Sequence, residues 1–165
     1  MAALNVGATA PDFSLPLMDG NTFSLKAAVQ RGPVVLAFFK ISCPVCQFTF
    51  PYLERLYRGL NGKGVTLIGI SQNTKEDTAS FNRQYGVTFP VALDDRNKFP
   101  VSNAYGLTNV PTLFYIDQDS RIGISSVGWA RFDIDDIARK AADHASLTAV
   151  QVFSPNEQVP DFKAG

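Results

Sequence analysis

Short, mainly apolar runs recur along the chain, separated by polar stretches that contain Gly, Pro, Asn or Asp. Apolar runs without strict alternation are typical of strands that are covered on both faces of a sheet. Two shorter extended segments, 11–17 and 22–25, flank Asp19-Gly20, a tight-turn signal that predicts an N-terminal β-hairpin. The remaining runs predict strands at 33–40, 65–70, 89–93, 112–116 and 121–127.

Other stretches carry helix signals. Residues 47–60 place apolar side chains at a helical period. Residues 74–85 begin with a predicted N-cap, Thr74, and are followed by the helix-terminating residue Gly86. We predict helices at 47–60, 74–85 and 97–105, a last helix from Asp133 or Asp135 to 145, and a short helix or turn at 24–30.

The order of these elements predicts the architecture. Strands joined by helices come first, followed by a strand hairpin and a final helix. This order is typical of an α/β sandwich with a mixed sheet. We expect one domain over residues 1–150 and an extended or loosely attached C-terminal tail over 151–165, because Pro155 and Pro160 interrupt a segment without periodicity.

Composition narrows the possible functions. The chain has 165 residues, 45% of them hydrophobic, which is enough for a core without disulfides or metals. Its 15 basic and 15 acidic residues balance, so charge gives no reason to expect nucleic acid or an anionic membrane as partner. No run is long enough to span a membrane, and no signal peptide is visible. We expect a cytoplasmic protein, or an extracytoplasmic one whose export signal has been removed.

The chemistry concentrates in the motif Ser42-Cys43-Pro44-Val45-Cys46, which holds the only two cysteines. It lies where the strand 33–40 turns toward the helix 47–60, so the helix N-terminus favours a thiolate at Cys43. We predict Cys43 as the exposed nucleophile and Cys46 as the shielded resolving thiol. Pro44 removes a backbone N–H donor, and the Pro44-Val45 pair is expected to set the reduction potential.

Three other interpretations concern the same region. Lys40 lies three residues before Cys43 and could favour the thiolate by its charge, or it could be a solvated lysine at a strand end. A structural zinc site needs four ligands, and the chain offers only His144 besides the cysteines. A purely structural disulfide across so short a loop would contribute little chain entropy. We therefore expect neither a metal nor another cofactor.

Several segments in order resemble the thioredoxin superfamily, in the branch of the TlpA-like thiol-disulfide oxidoreductases and the AhpC/TSA peroxiredoxins. The residues that carry the resemblance are Gly7-Ala8-Thr9-Ala10-Pro11-Asp12-Phe13, 34–39, the Cys43/Cys46 pair, 67–71 and Val110-Pro111-Thr112. The resemblance extends over about 6–147. It implies a thioredoxin fold with a helix–strand insertion at roughly 74–105. It also implies a cis Val110-Pro111 bond that faces the cysteines and exposes the Val110 backbone to an extended substrate.

The chain also departs from the pattern of the families that it resembles. Ser42 replaces the usual Trp before the first cysteine, and Ala37 replaces the buried acid of thioredoxin. Leu36 and Lys40 stand where peroxiredoxins carry the Pro and Thr of their peroxide site. The missing Thr hydroxyl counts against a conventional peroxidase.

Three functions follow from the motif and the resemblance. The first is a thiol-disulfide oxidoreductase that acts on a protein or a small thiol or disulfide partner. The second is a two-cysteine peroxidase, in which Cys43 becomes a sulfenic acid and Cys46 condenses with it. The third is a binding module with an idle cysteine pair. The sequence does not indicate an oligomeric state.

Overall fold

A mixed five-stranded sheet forms the centre of the computed structural model, which describes residues 2–165. The strands and helices, in chain order, are β1 Ser14–Pro16, β2 Thr22–Ser24, α1 Leu25–Arg31, β3 Val34–Phe39, α2 Pro44–Leu60, β4 Thr66–Ser71, α3 Lys75–Tyr85, β5 Val91–Leu93, α4 Pro100–Ala104, β6 Thr112–Ile116, β7 Ile122–Val127, β8 Trp129–Ala130, α5 Arg131–His144 and β9 Phe162–Lys163. The predicted hairpin, the five predicted strands and the four predicted helices are all present. Within residues 2–165, no helix combines the length and apolar character needed to cross a membrane.

Strand β3 lies at the middle of the sheet, whose order is β5-β4-β3-β6-β7. It runs parallel to β4 and antiparallel to β6, which confirms the predicted mixed sheet. All six of its residues are buried, as the unbroken apolar run indicates for a strand covered on both faces. Its register pairs Phe38 with Thr112, so the end of β3 lies beside the start of β6.

The two faces of the sheet carry separate core clusters. Val35 and Phe39 pack with the apolar sides of α2 and α5, together with Trp129, which is fully buried. Leu36 and Phe38 point to the opposite face and pack with α1, α4 and the β1–β2 hairpin. Alternate side chains of β3 thus pack into the core clusters on opposite faces of the sheet.

Two helices begin earlier than their apolar periods predict. Helix α2 begins at Pro44 rather than at Gln47, because Cys43 is its N-cap and Pro44 occupies the first turn. Helix α5 begins at Arg131, before Asp133. Helix α3, in contrast, has the predicted caps, Thr74 at its start and Gly86 at its end.

The C-terminal segment is held against the domain, which corrects the alternative of a loosely attached tail. Val152, Phe153 and Val159 are buried in the core cluster of α2 and α5. Further along, β9 pairs antiparallel with β8. Burial of these apolar side chains therefore holds the segment on the domain, although its sequence has no helical or strand period. The boundary of the domain at residue 150 stays a prediction.

Glu54 joins α2 to the loop that precedes β5. Its carboxylate accepts hydrogen bonds from Thr88 N at 2.8 Å, from Thr88 Oγ1 at 2.5 Å and from Arg58 Nε at 2.7 Å, with a longer one from Phe89 N. Burial alone would raise the pKa of Glu54, but the hydrogen bonds from Thr88, Arg58 and Phe89 outweigh it and hold the pKa below its ordinary value. The charged form of Glu54 therefore stabilises the folded protein.

We expect Glu54→Gln to lower the free energy of unfolding by about 2 kcal/mol at neutral pH, because it weakens hydrogen bonds to a buried charged acceptor. The pKa of Glu54 is lower in the folded than in the unfolded protein. Its contribution is therefore present above the unfolded pKa and is lost as the pH falls through the folded pKa. Urea unfolding of both proteins from neutral to acidic pH measures this difference, and a difference that stays constant into acid would contradict the assignment.

Candidate active site

Cys43 lies at the N-cap of α2, after the three residues that follow the end of β3. Its backbone N–H donates to the Lys40 carbonyl at 3.3 Å, which closes the turn between strand and helix. Its Sγ accepts a hydrogen bond from Cys46 N at 3.2 Å. Since the first N–H groups of a helix lack partners within the helix, this contact favours negative charge on the sulfur.

Cys46 lies within the first turn of α2 and is fully buried. Burial raises the pKa of its thiol far above the ordinary value, and its hydrogen bond with the Cys43 side chain raises it further. A hydrogen bond from the Lys40 backbone acts in the opposite direction without cancelling the effect. Both cysteines are free thiols, Cys43 half-buried and Cys46 buried. The two sulfurs thus differ in access to solvent, and burial opposes ionisation of Cys46.

The Val110-Pro111 loop faces the cysteines. The peptide bond between these residues is cis, as the resemblance implies. The Val110 carbonyl oxygen accepts a hydrogen bond from Cys43 Sγ at 3.4 Å. Val110 is half-buried, whereas Pro111 is buried next to β6. The pairing of the end of β3 with the start of β6 brings these distant residues together.

A groove of about 390 Å³ opens beside Cys43. Lys40 and Val110 are part of its lining, so the structure places both predicted residues next to the sulfur. Ser42 and Pro44 are exposed on either side of Cys43, and Val45 packs partly against the core. The remaining lining residues are Gln72, Phe99, Ser102, Asn103, Leu107, Thr108, Asn109 and Gly165.

Side chains from other elements hold the loop before Cys43, and sequence patterns did not indicate them. Asn73 Oδ1 accepts a hydrogen bond from Ile41 N at 3.0 Å, and Gln47 Nε2 donates to the Ile41 carbonyl at 2.9 Å. At the far wall of the groove, Gln72 Nε2 donates to Ser102 Oγ at 2.9 Å. The pairs Ile41–Asn73 and Gln72–Ser102 lie far apart in sequence, and none of these contacts leaves a periodic signal.

The surroundings of the pair limit its chemistry. Ala37, which stands where thioredoxin has a buried acid, is fully buried in β3. Among residues 2–165, no group of three or more His, Cys, Asp or Glu side chains is arranged to hold a metal ion. The arrangement offers a half-buried sulfur that lines a groove of mixed polar and apolar side chains, with a second, buried sulfur beneath it, and this arrangement is suited to the formation of a mixed disulfide.

Comparisons with known proteins agree with this geometry. Residues 6–124 match the AhpC/TSA family. The thiol-disulfide oxidoreductase ResA of Bacillus anthracis is 32% identical over 126 residues, which cover 76% of this chain and 71% of ResA. The crystal structure of a candidate thiol:disulfide interchange protein DsbE from Chlorobium tepidum has a TM-score of 0.75 and 26% identity, and covers 87% of this chain and 99% of that chain.

A fourth likeness comes from the peroxidase side of the superfamily. The crystal structure of peroxidoxin BcpB from Mycobacterium tuberculosis has a TM-score of 0.66 and 25% identity, and covers 88% of this chain and 97% of that chain. Together, the solved structures confirm the predicted thioredoxin fold, a mixed sheet flanked by helices. This chain therefore belongs to the AhpC/TSA family, in the TlpA-like branch of the thioredoxin superfamily.

Proposed function

We propose that this chain is a thiol-disulfide oxidoreductase that uses the Cys43-Pro44-Val45-Cys46 motif. The observation that carries the proposal is the contrast between the two sulfurs. Cys43 Sγ lies beside an open groove and accepts a helix N–H, whereas Cys46 is fully buried in the same helical turn. Membership of a family that includes relatives named ResA and DsbE supports the assignment.

In the first step, the Cys43 thiolate attacks one sulfur of a partner disulfide. A Cys43–sulfur bond forms, the partner's disulfide bond breaks, and the partner's other sulfur leaves as a thiolate. The Cys46 N–H stabilises the Cys43 thiolate before attack. We propose that the partner is a protein or a small disulfide that approaches Cys43 through the groove.

In the second step, Cys46 resolves the mixed disulfide. The raised pKa keeps Cys46 protonated while Cys43 reacts. We propose that the first released thiolate accepts the Cys46 proton, because Ala37 supplies no acid or base at the buried position. The Cys46 sulfur then attacks Cys43, the Cys43–Cys46 disulfide forms, and the second partner thiolate leaves and takes a proton from solvent. The dithiol loses two electrons, and the substrate disulfide gains two.

Two-cysteine peroxidase activity is the second candidate. The AhpC/TSA match and the likeness to peroxidoxin BcpB favour it. Leu36 and Lys40 oppose it, since they replace the Pro and Thr of the peroxiredoxin site.

The third candidate, a binding module with idle cysteines, is supported if a Cys43→Ser protein keeps every biological activity. The compartment stays a prediction: cytoplasmic, or extracytoplasmic after removal of an export signal.

Substitution of each cysteine separates their roles. We expect Cys43→Ser to abolish disulfide reduction above the uncatalysed rate, because no nucleophile remains in the groove. We expect Cys46→Ala to form a stable mixed disulfide with the substrate, because the resolving thiol is missing. Mass spectrometry of each protein after incubation with oxidised insulin checks both outcomes. A mixed disulfide at position 46 in Cys43→Ser would reverse the assigned roles.

Alkylation tests whether Cys46 is shielded and resists ionisation in the folded protein. Iodoacetamide should modify the reduced native protein once, at Cys43, because burial shields Cys46 and its raised pKa keeps it neutral above the pH at which an ordinary thiol ionises. After unfolding in guanidinium, both cysteines should react. The Cys43→Ser protein serves as the control and should stay unmodified while folded. Equal labelling of the two thiols in the native protein would refute this part of the mechanism.

Stopped-flow mixing with hydrogen peroxide decides between the first two functions. The reduced protein should react at the slow rate of a free thiol, because Lys40 stands in place of the Thr whose hydroxyl would position the peroxide. The rate of insulin reduction by the same preparation provides the comparison. Rapid oxidation of Cys43 to a sulfenic acid by hydrogen peroxide would instead establish peroxidase activity.

A further inference from the structure

The end of the chain passes beside the groove that holds Cys43. Two carbonyls anchor its approach: Pro160 O accepts a hydrogen bond from Trp129 Nε1 at 2.7 Å, and Asp161 O accepts one from Arg131 N at 2.9 Å. The next four residues, Phe162–Gly165, form what we call the C-terminal strap. Its first two residues pair antiparallel with Trp129–Ala130 as β9 and β8.

The last residue of the strap touches the carbonyl that contacts the reactive sulfur. A methyl group at Gly165 would lie 2.4 Å from Val110 O, so the Gly165 backbone is packed directly on that oxygen. The same oxygen lies 3.4 Å from Cys43 Sγ. Asn109 Nδ2 donates to Gly165 O at 3.1 Å. The strap therefore lies along the Val110 side of the cysteine.

A second glycine, Gly128 in the turn between β7 and β8, lets the strap lie close to that turn. A Cβ atom at Gly128 would lie 2.5 Å from Lys163 O and 3.1 Å from Gly165 N. Gly128 also has a φ of 78°, a conformation that favours glycine. The end of the strap therefore lies between the β7–β8 turn and the Val110 loop. Neither Gly128 nor Gly165 has room for a side chain there.

The strap is attached more weakly than the segment before it. Val152, Phe153 and Val159 lie in the core, whereas all four strap residues are exposed. The strap is held by a two-residue strand pairing, by the Asn109 side chain and by the Lys163 ammonium, which lies 5.0 Å from the centre of the Phe48 ring. Segments with few buried apolar contacts open locally without global unfolding. The strap can therefore leave the groove while the core stays folded.

We propose that the C-terminal strap determines substrate specificity at the disulfide-exchange site, an inference that rests on the proposed function. It lies along the Val110 side of Cys43, and its last residue, Gly165, lines the same groove as Lys40, Gln72 and Ser102. In this proposal, a small disulfide fits into the groove and reaches Cys43 while the strap is in place. A disulfide carried on a polypeptide needs more space around the sulfur and reacts only after the strap moves aside.

The size of the effect follows from the fraction of molecules with an open strap. When only a fraction of the protein is competent, the apparent rate equals the intrinsic rate multiplied by that fraction. Loss of the few hydrogen bonds that hold the strap changes the ratio of open to closed molecules about tenfold, which is equivalent to about 1.4 kcal/mol. We therefore expect the strap to slow polypeptide disulfides about tenfold relative to small disulfides.

Deletion of residues 162–165 tests the proposal. It removes the strap and keeps the Pro160 carbonyl that binds Trp129, while the Asp161 carbonyl becomes part of the new terminal carboxylate, which still offers an acceptor to Arg131 N. The reduced full chain and the deletion variant are each mixed with insulin and with hydroxyethyl disulfide. The deletion should raise the insulin rate about tenfold and leave the hydroxyethyl disulfide rate unchanged.

A milder variant keeps the test valid if the deletion perturbs folding. Asn109→Ala removes the side-chain contact to Gly165 and should raise the ratio of the insulin rate to the hydroxyethyl disulfide rate in the same direction. Asn156→Ala, at an exposed position outside the groove, is the matched control and should leave the ratio unchanged.

The outcomes separate the two proposals. An unchanged ratio in both the deletion and Asn109→Ala, or a parallel fall in both rates, overturns the role of the strap while disulfide exchange stands. Failure of the full chain to reduce either disulfide overturns the proposed function instead.

Discussion

The pairing of β3 with its neighbours in the middle of the sheet determines where every reactive group lies. Because β3 is buried on both faces, its direction and register are tightly constrained. The pairing of Phe38 with Thr112 then sets the turn after β3 next to the loop before β6. Cys43 and Val110, 67 positions apart in sequence, meet for this reason. The site is thus a consequence of strand register as much as of the cysteine motif itself.

Two thiols of identical chemistry acquire different properties from their positions in one helix. At the N-cap, the Cys43 sulfur receives an N–H and borders solvent. One turn further, Cys46 is surrounded by the core that α2 and α5 share, and burial opposes its ionisation. In the proposed mechanism, Cys43 reacts before Cys46 because the two sulfurs lie at different depths along α2.

The sequence predicts those parts of the fold that leave a local signal. The unbroken apolar run of β3 and the caps Thr74 and Gly86 correspond closely to observed elements. The start of α2 was predicted three residues too late, because apolar periodicity does not show that a cysteine can serve as an N-cap. The contact of Gly165 with Val110 has no sequence signal at all, since it depends on a short, exposed strand pairing between distant residues.

The position of Gly165 also matters for anyone who prepares this protein. Its carbonyl is bound by Asn109, and its backbone touches the oxygen that contacts Cys43. Any residues that follow Gly165, including an affinity tag or a fusion partner, would emerge beside the groove that Cys43 lines. Rates recorded with such a preparation would reflect the appended sequence as well as the enzyme, so tag placement is itself a variable of the assay.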